Sequence, residues 1–163
     1  MPFLNRGIIA ERIVVGAVAM DGFTEAAVGW RHFPHGADIG VSGFGPSLAQ
    51  AFEQAAVALI AVMTEPERVR LVQAIPITCD APDPETLLVD WLDAVVYEIA
   101  TRGMLFGRFE VVIEGSHLAA TAYGEPLDPT RHQPAVEVKG ATYTALRVAR
   151  EGAGWVAACV VDV

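Results

Sequence analysis

Between residues 48 and 63 the apolar side chains Leu48, Phe52, Ala56, Leu59, Ile60 and Met63 recur at helical spacing, which predicts an amphipathic helix with one buried face. Gly45-Pro46 breaks the chain ahead of it, Ser47 with Gln50 three residues on makes a capping box, and Thr64-Glu65-Pro66 ends it. From residue 69 to 79 the odd positions are apolar except Gln73, a period of about two that predicts a strand. Asp83 then offers a cap and Pro84 suits a first turn, and Leu87, Leu88, Trp91, Leu92, Val95 and Ile99 form a second helical stripe ending at Arg102-Gly103. Beyond Gly103 the helix signals stop. Strands are predicted over residues 108–114, 117–123, 136–148 and 155–162, with turns at Gly115-Ser116 and over 151–154, while 124–134 reads as a long loop of the kind that carries function.

Each helix must bury its stripe, and a sheet offers the matching face. The expected architecture is therefore α+β: two helices packed on a mostly antiparallel β-sheet in a single domain, which suits a chain of 163 residues. The helices come early and the strands late, and no glycine-rich dinucleotide fingerprint or P-loop occurs, which argues against a doubly wound nucleotide fold. A hydrophobic fraction of 53% supports a buried core and argues against disorder of the main body.

Charge narrows the function. Eleven Lys plus Arg against 20 Asp plus Glu leave a formal charge of -9, with no basic patch, so direct binding of RNA or DNA is disfavoured and a nucleic-acid role would run through a basic partner protein. Lys139 is the sole lysine. Cys79 and Cys159 lie in apolar strand-like stretches and read as small buried hydrophobes rather than a disulfide or a reactive pair. Nothing in the sequence argues against the cytoplasm.

Residues 1–29 form an N-terminal extension, disordered or arising from an over-extended start with Met20 as the alternative first residue; residues 30–163 form the domain. The apolar run over 7–20 is shorter than the roughly 20 residues a membrane span needs. Arg6 before it and Ala17-Val18-Ala19 near its end have features of a signal peptide, but Glu11 and Arg12 interrupt its apolar centre.

Three constellations could carry chemistry. His35-Gly36-Ala37-Asp38-Ile39-Gly40 surrounds a carboxylate with flexible backbone, although an aspartate between glycines is ordinarily a turn-former, and in extended chain positions 35 and 38 point to opposite sides. At the other end of the sequence an apolar run closes on Asp162-Val163, placing a carboxylate side chain beside the terminal carboxylate; such oxygens suit Ca²⁺ or Mg²⁺, while a solvated tail is the ordinary alternative. Glu137 and Lys139 share a strand face, where Lys139 could pair with nearby acids, contact a partner, or form an ordinary cross-strand ion pair. No serine or cysteine triad is recognisable.

Taken together, Trp30 to Gly40, Ala51-Phe52-Glu53-Gln54-Ala55-Ala56, Leu87-Leu88-Val89-Asp90-Trp91-Leu92, Gly124-Glu125, Glu137-Val138-Lys139 with Thr142-Tyr143, and Asp162-Val163 resemble the archease family in order and spacing. That resemblance implies a protein that is not itself an enzyme but the activating partner of an RtcB-type RNA ligase, promoting its guanylation with GTP and its multiple turnover in tRNA splicing or RNA repair. It further implies a divalent metal ion, Ca²⁺ or Mg²⁺, held by Asp38, Asp162 and Val163. His35, Glu125 and Lys139 match positions near the functional surface. One position departs: where many members carry a histidine after Thr-Tyr, this chain has Thr144.

Two other classes fit the same residues. One is a stand-alone metal-dependent phosphoester hydrolase with Asp38 and Asp162 as ligands and His35 or His132 as acid–base group. The other is a chaperone-like binding module that needs no metal.

Overall fold

The computed structural model describes residues 10–14 and 27–163. In chain order they form β1 (Glu11–Val14), β2 (Val28–His35), β3 (Asp38–Gly45), α1 (Leu48–Met63), a 3-10 turn (Pro66–Arg68), β4 (Gln73–Asp80), α2 (Pro84–Arg102), β5 (Met104–Glu114), β6 (His117–Pro126), the short α3 (Pro129–His132), β7 (Gly140–Ala141), β8 (Arg147–Glu151) and β9 (Gly154–Asp162).

The helix ends follow from the residues that flank them. Ser47 Oγ accepts the Gln50 N–H at 3.1 Å, and Thr64 closes α1 by donating its N–H to Ile60 O at 2.9 Å. Asp83 accepts the Thr86 N–H at 2.7 Å with Pro84 in the first turn, and Gly103 ends α2 in the left-handed region at φ +62°. Phe52, Leu59, Ile60, Trp91 and Leu92 are fully buried, so both predicted stripes face the interior, and the Trp91 indole N–H ties the helices together by donating to Phe52 O at 3.0 Å.

The chain is α+β, and its strands divide between two antiparallel sheets rather than one. The larger has the order β1-β2-β3-β9-β7, with β8 also pairing β9, and the smaller has the order β4-β6-β5. Helix α1 lies between them, against β2, β3 and β9 on one side and β5 on the other. Its approach to β3 depends on Gly43, where a Cβ would stand 2.1 Å from Ala55 N and 2.2 Å from Ala51 O. Helix α2 packs against β4 of the smaller sheet and β7 of the larger. A helix buried on opposite sides cannot be told from a singly buried one when most of its positions are Ala, Val, Leu or Ile, so the second sheet was not legible in the pattern.

Several boundaries differ from the sequence reading. The strand expected over 69–79 starts later, at Gln73, behind the 3-10 turn, and β6 continues through Glu125 to Pro126 before Pro129–His132 turns helical inside the expected loop. The strand expected over 136–148 is broken into β7 and β8. At the N-terminal side, β2 begins at Val28, and Glu11–Val14 pairs with it antiparallel, Glu11 opposite Arg31 and Val14 opposite Val28. Residues 17–20, with the signal-peptide and start-site readings they carry, lie outside the described residues.

Among the described residues no helix is long and apolar enough to cross a membrane. Both cysteines are free: Cys159 is buried and Cys79 half-buried, and burial pushes their thiols up to about 12 and about 11, far from thiolate chemistry.

Candidate functional site

Strands β2 and β3 are joined by the two-residue turn Gly36-Ala37, with Gly36 at φ +59° in the conformation such a hairpin demands. The turn sets His35 directly opposite Asp38. Cross-strand partners point to the same face, so the two side chains emerge together, and the expectation that positions 35 and 38 diverge is corrected by the hairpin. The face is the one turned away from α1. Ile39, Val41 and Gly43 face the helix, which leaves Asp38, Gly40 and Ser42 on the outer side, and a Cβ at Gly40 would meet the Phe33 ring at 2.2 Å.

The other flank of β3 pairs with β9 from Gly45 opposite Trp155 to Ile39 opposite Val161. One step further along this ladder Asp38 stands against Asp162, on the same outer face. The Val163 N–H reaches Asp38 Oδ1 at 3.4 Å, so the two ends of the domain meet at this sheet corner. Asp38 and Val163 are half-buried, while Asp162 and His35 are exposed. Lys139 joins through its backbone, donating its N–H to Asp162 O at 2.8 Å with its side chain in solvent.

The break between β7 and β8 shapes the rim of this corner. Gly140 pairs with Asp162 and Arg147 with Ala158, so seven steps on one strand oppose four on β9. The surplus residues loop out as a bulge around Val160, which donates to Thr144 O at 3.0 Å and accepts from the Thr142 N–H at 2.9 Å. Ala145 at φ +51° turns the chain back, and Tyr143 and Thr144 are left exposed beside the site. Asp93 of α2 holds the near end of the bulge by accepting the Ala141 N–H at 2.8 Å.

Glu125 lies elsewhere. It is 4% exposed on the smaller sheet, and its carboxylate accepts from Arg131 Nε at 3.1 Å, Arg131 Nη2 at 3.2 Å, the Arg70 N–H at 3.1 Å and His132 Nε2 at 2.7 Å. Burial raises its pKa, but the Arg70 N–H, His132 and Arg131 outweigh that and hold the carboxyl below its ordinary value. His132 is 1% exposed, and because its Nδ1 accepts the Asp128 N–H at 2.8 Å, Nε2 carries the hydrogen given to Glu125. This buried network braces the segment after β6. His132 has no contact with Asp38 or Asp162 and is not placed to serve them as an acid–base group.

The model of the Archease protein family (MTH1598/TM1083) matches residues 30–163. The chain belongs to the archease family. It is 38% identical over 139 residues to Protein archease of Pyrococcus abyssi, covering 82% of this chain and 98% of that one. Protein archease of Sulfurisphaera tokodaii is 35% identical over 133 residues, covering 80% and 96%. The solution structure of Methanobacterium thermoautotrophicum protein 1598 superposes with a TM-score of 0.73 at 30% identity, covering 82% of this chain and 98% of that one.

The archease match therefore spans both of the segments that meet at the corner, Asp38 near its start and Asp162-Val163 at its end. Sequence reasoning missed Asp93, whose helical position carries no signal of a strand-capping role, and the bulge, because alternation over 136–148 looks the same whether or not three residues loop out. Among the described residues no three His, Cys, Asp or Glu side chains converge into a metal cluster of their own. The corner's oxygen donors, two carboxylates and the main-chain oxygen of Val163, are the hard type that Ca²⁺ and Mg²⁺ take, but they number fewer than the six or more such an ion requires.

Proposed function

We propose that this archease binds Ca²⁺ or Mg²⁺ through Asp38, Asp162 and Val163 and acts as the activating partner of an RtcB-type, GTP-dependent RNA ligase rather than as an enzyme. The observation that carries the reading is the 3.4 Å hydrogen bond from the Val163 N–H to Asp38, which brings two distant carboxylate-bearing segments to one corner. A half-built oxygen shell suits a partner protein better than a self-sufficient catalyst, because water or the partner must complete it. A divalent ion there would neutralise the paired carboxylates and bridge them to anionic or carboxylate groups on the partner. This chain's own residues then do the positioning: Asp38 and Asp162 hold the ion, Lys139 and Tyr143 project from the rim, and His35 lies on the same face across the hairpin.

The formal charge of -9 steers the chain toward a basic RNA enzyme and keeps it off RNA itself. On this reading the protein works in the cytoplasm, in tRNA splicing or RNA repair, by promoting guanylation of the ligase and repeated turnover. The assay is ligation by the cognate ligase, limiting over its RNA, with and without the archease. Multiple turnovers are expected only with it, and unchanged ligase turnover removes the proposal. Steady hydrolysis of a phosphoester by the archease alone, lost in Asp38→Ala, would instead favour the hydrolase reading.

A further inference from the structure

Among the described residues strand β4 pairs only with β6, which leaves its other side an open sheet edge among them. The ladder shows which groups face that edge. The Ala81 N–H donates to Ser116 O at 3.1 Å, one step beyond the pairing of Asp80 with His117, which makes Ala81 and Ser116 a hydrogen-bonded pair. Alternation then turns the backbone of Cys79, Ile77 and Ile75 toward β6, and that of Asp80, Thr78, Pro76 and Ala74 toward the open side. Pro76 agrees with this, since a proline within a sheet is tolerated where its missing N–H would face outward. The edge thus presents four carbonyls but only three N–H groups, and Pro76 blocks an uninterrupted second ladder.

Helix α2 runs beside this edge, leaving an open groove of about 550 Å³ lined by Pro76, Thr78, Asp90, Asp93, Tyr97 and Glu98, among others, with no Lys or Arg in its walls. The helical spacing of 90, 93, 97 and 98 puts these side chains along one flank of α2. Asp93 is engaged with Ala141 and Glu98 with Arg102, while no hydrogen bond or ion pair among the described residues uses the Asp90 carboxylate. Tyr97 is 64% exposed and offers an aromatic face to a guanidinium.

An acceptor-rich strand edge, facing carboxylates and an exposed tyrosine, is complementary to a donor-rich, cationic and extended ligand. We propose that the β4–α2 groove docks an extended arginine- or lysine-rich segment of a partner protein. The incoming backbone pairs with Thr78 and Asp80, and its basic side chains reach Asp90, Glu98 and Tyr97. This is β-strand addition with charge selecting the partner. It requires neither a metal ion nor an RNA ligase, so it stands or falls separately from the function proposed above.

The test uses the full chain, isotopically labelled, with a fluorescent octapeptide of alternating Arg and Val as probe and its Glu-Val counterpart as control. Expected are amide shifts confined to residues 74–80 and 90–98, slowed hydrogen exchange at the Thr78 and Asp80 amides, and no binding of the control. Asp90→Lys with Glu98→Lys should weaken binding at least tenfold, and Thr78→Pro, which removes an outward donor, at least threefold. Asp90→Asn with Glu98→Gln serves as the milder pair should the reversals disturb folding. Shifts scattered over all acidic surfaces, protection absent from Thr78 and Asp80, or equal affinity for the double variants would overturn the proposal.

Discussion

Asp38 and Val163 are 125 positions apart in sequence, yet the Val163 N–H points at Asp38 Oδ1 across 3.4 Å. The contact lies just past the last rung of the β3–β9 ladder, Ile39 with Val161, so the register of seven paired residues brings the two groups together rather than their affinity for each other. A site built in this way is preorganised by the sheet before any ion or partner arrives.

The divalent-ion binding proposed above should therefore fail by loss of a ligand and not by loss of fold. Asp38→Ala and Asp162→Ala are each expected to lower Ca²⁺ or Mg²⁺ affinity at least tenfold by titration calorimetry. Melting of the metal-free variants should stay within about 1 kcal/mol of the parent, as for other surface changes. Wild-type affinity in both variants would remove the metal centre.

Glu125 makes the opposite prediction, structural and pH-dependent. Its carboxyl titrates below the ordinary value of 4.5 in the folded chain, so the unfolded chain binds the proton first as pH falls. The stabilisation is complete above that value and is lost as pH drops through the folded pKa. Glu125→Gln should cost about 1–3 kcal/mol at neutral pH, the price of leaving buried donors poorly matched. It should also flatten the acid limb of a stability–pH curve below 4.5, while leaving metal affinity unchanged. An acid limb identical to the parent's would show that other carboxylates carry it.

Much of this architecture can be read in the residues, and the reason differs by element. Ser47, Asp83 and Gly103 mark helix ends by local chemistry, so α1 and α2 appear in the structure with the bounds their caps imply. The pairing of Asp38 with the Asp162 end is not local: in the sequence it rests on the family likeness, because no periodicity in either strand states which strand it will join. His35 shows the limit most clearly. Its direction relative to Asp38 depends on a turn at Gly36-Ala37, and an extended reading of the same four residues gives the wrong face. Glu125 shows the same limit from another side: a family position carries no information about burial until His132 and Arg131 are seen around it.

The close approach of α1 to β3 should be intolerant of a single methyl group. Gly43→Ala puts a Cβ about 2 Å from backbone atoms of Ala51 and Ala55, which no rotamer change can relieve, so helix and sheet must separate. A loss of about 3 kcal/mol is expected by denaturant titration. Gly36→Ala meets no atom within 4 Å and should cost less, through its φ of +59° alone. Equal costs for the two would contradict this packing account.

Asp93 and Thr144 bear on the bulge from its two sides. Asp93→Ala removes the acceptor of the Ala141 N–H at an exposed position and should cost about 0.5–1.5 kcal/mol while speeding exchange of the Ala141 amide, since β7 is only two residues long. Thr144 is exposed at the outer end of the same bulge, and its main chain already holds Val160. Thr144→His should therefore be accommodated without loss of stability and place an imidazole on the bulge beside Val160. If that side chain faces the carboxylate corner, affinity for an imidazole-preferring ion such as Zn²⁺ should rise at least tenfold over the parent while Mg²⁺ affinity stays level, because nitrogen ligands favour the former and oxygen the latter. Unchanged Zn²⁺ affinity would mean that the bulge directs residue 144 away from the site.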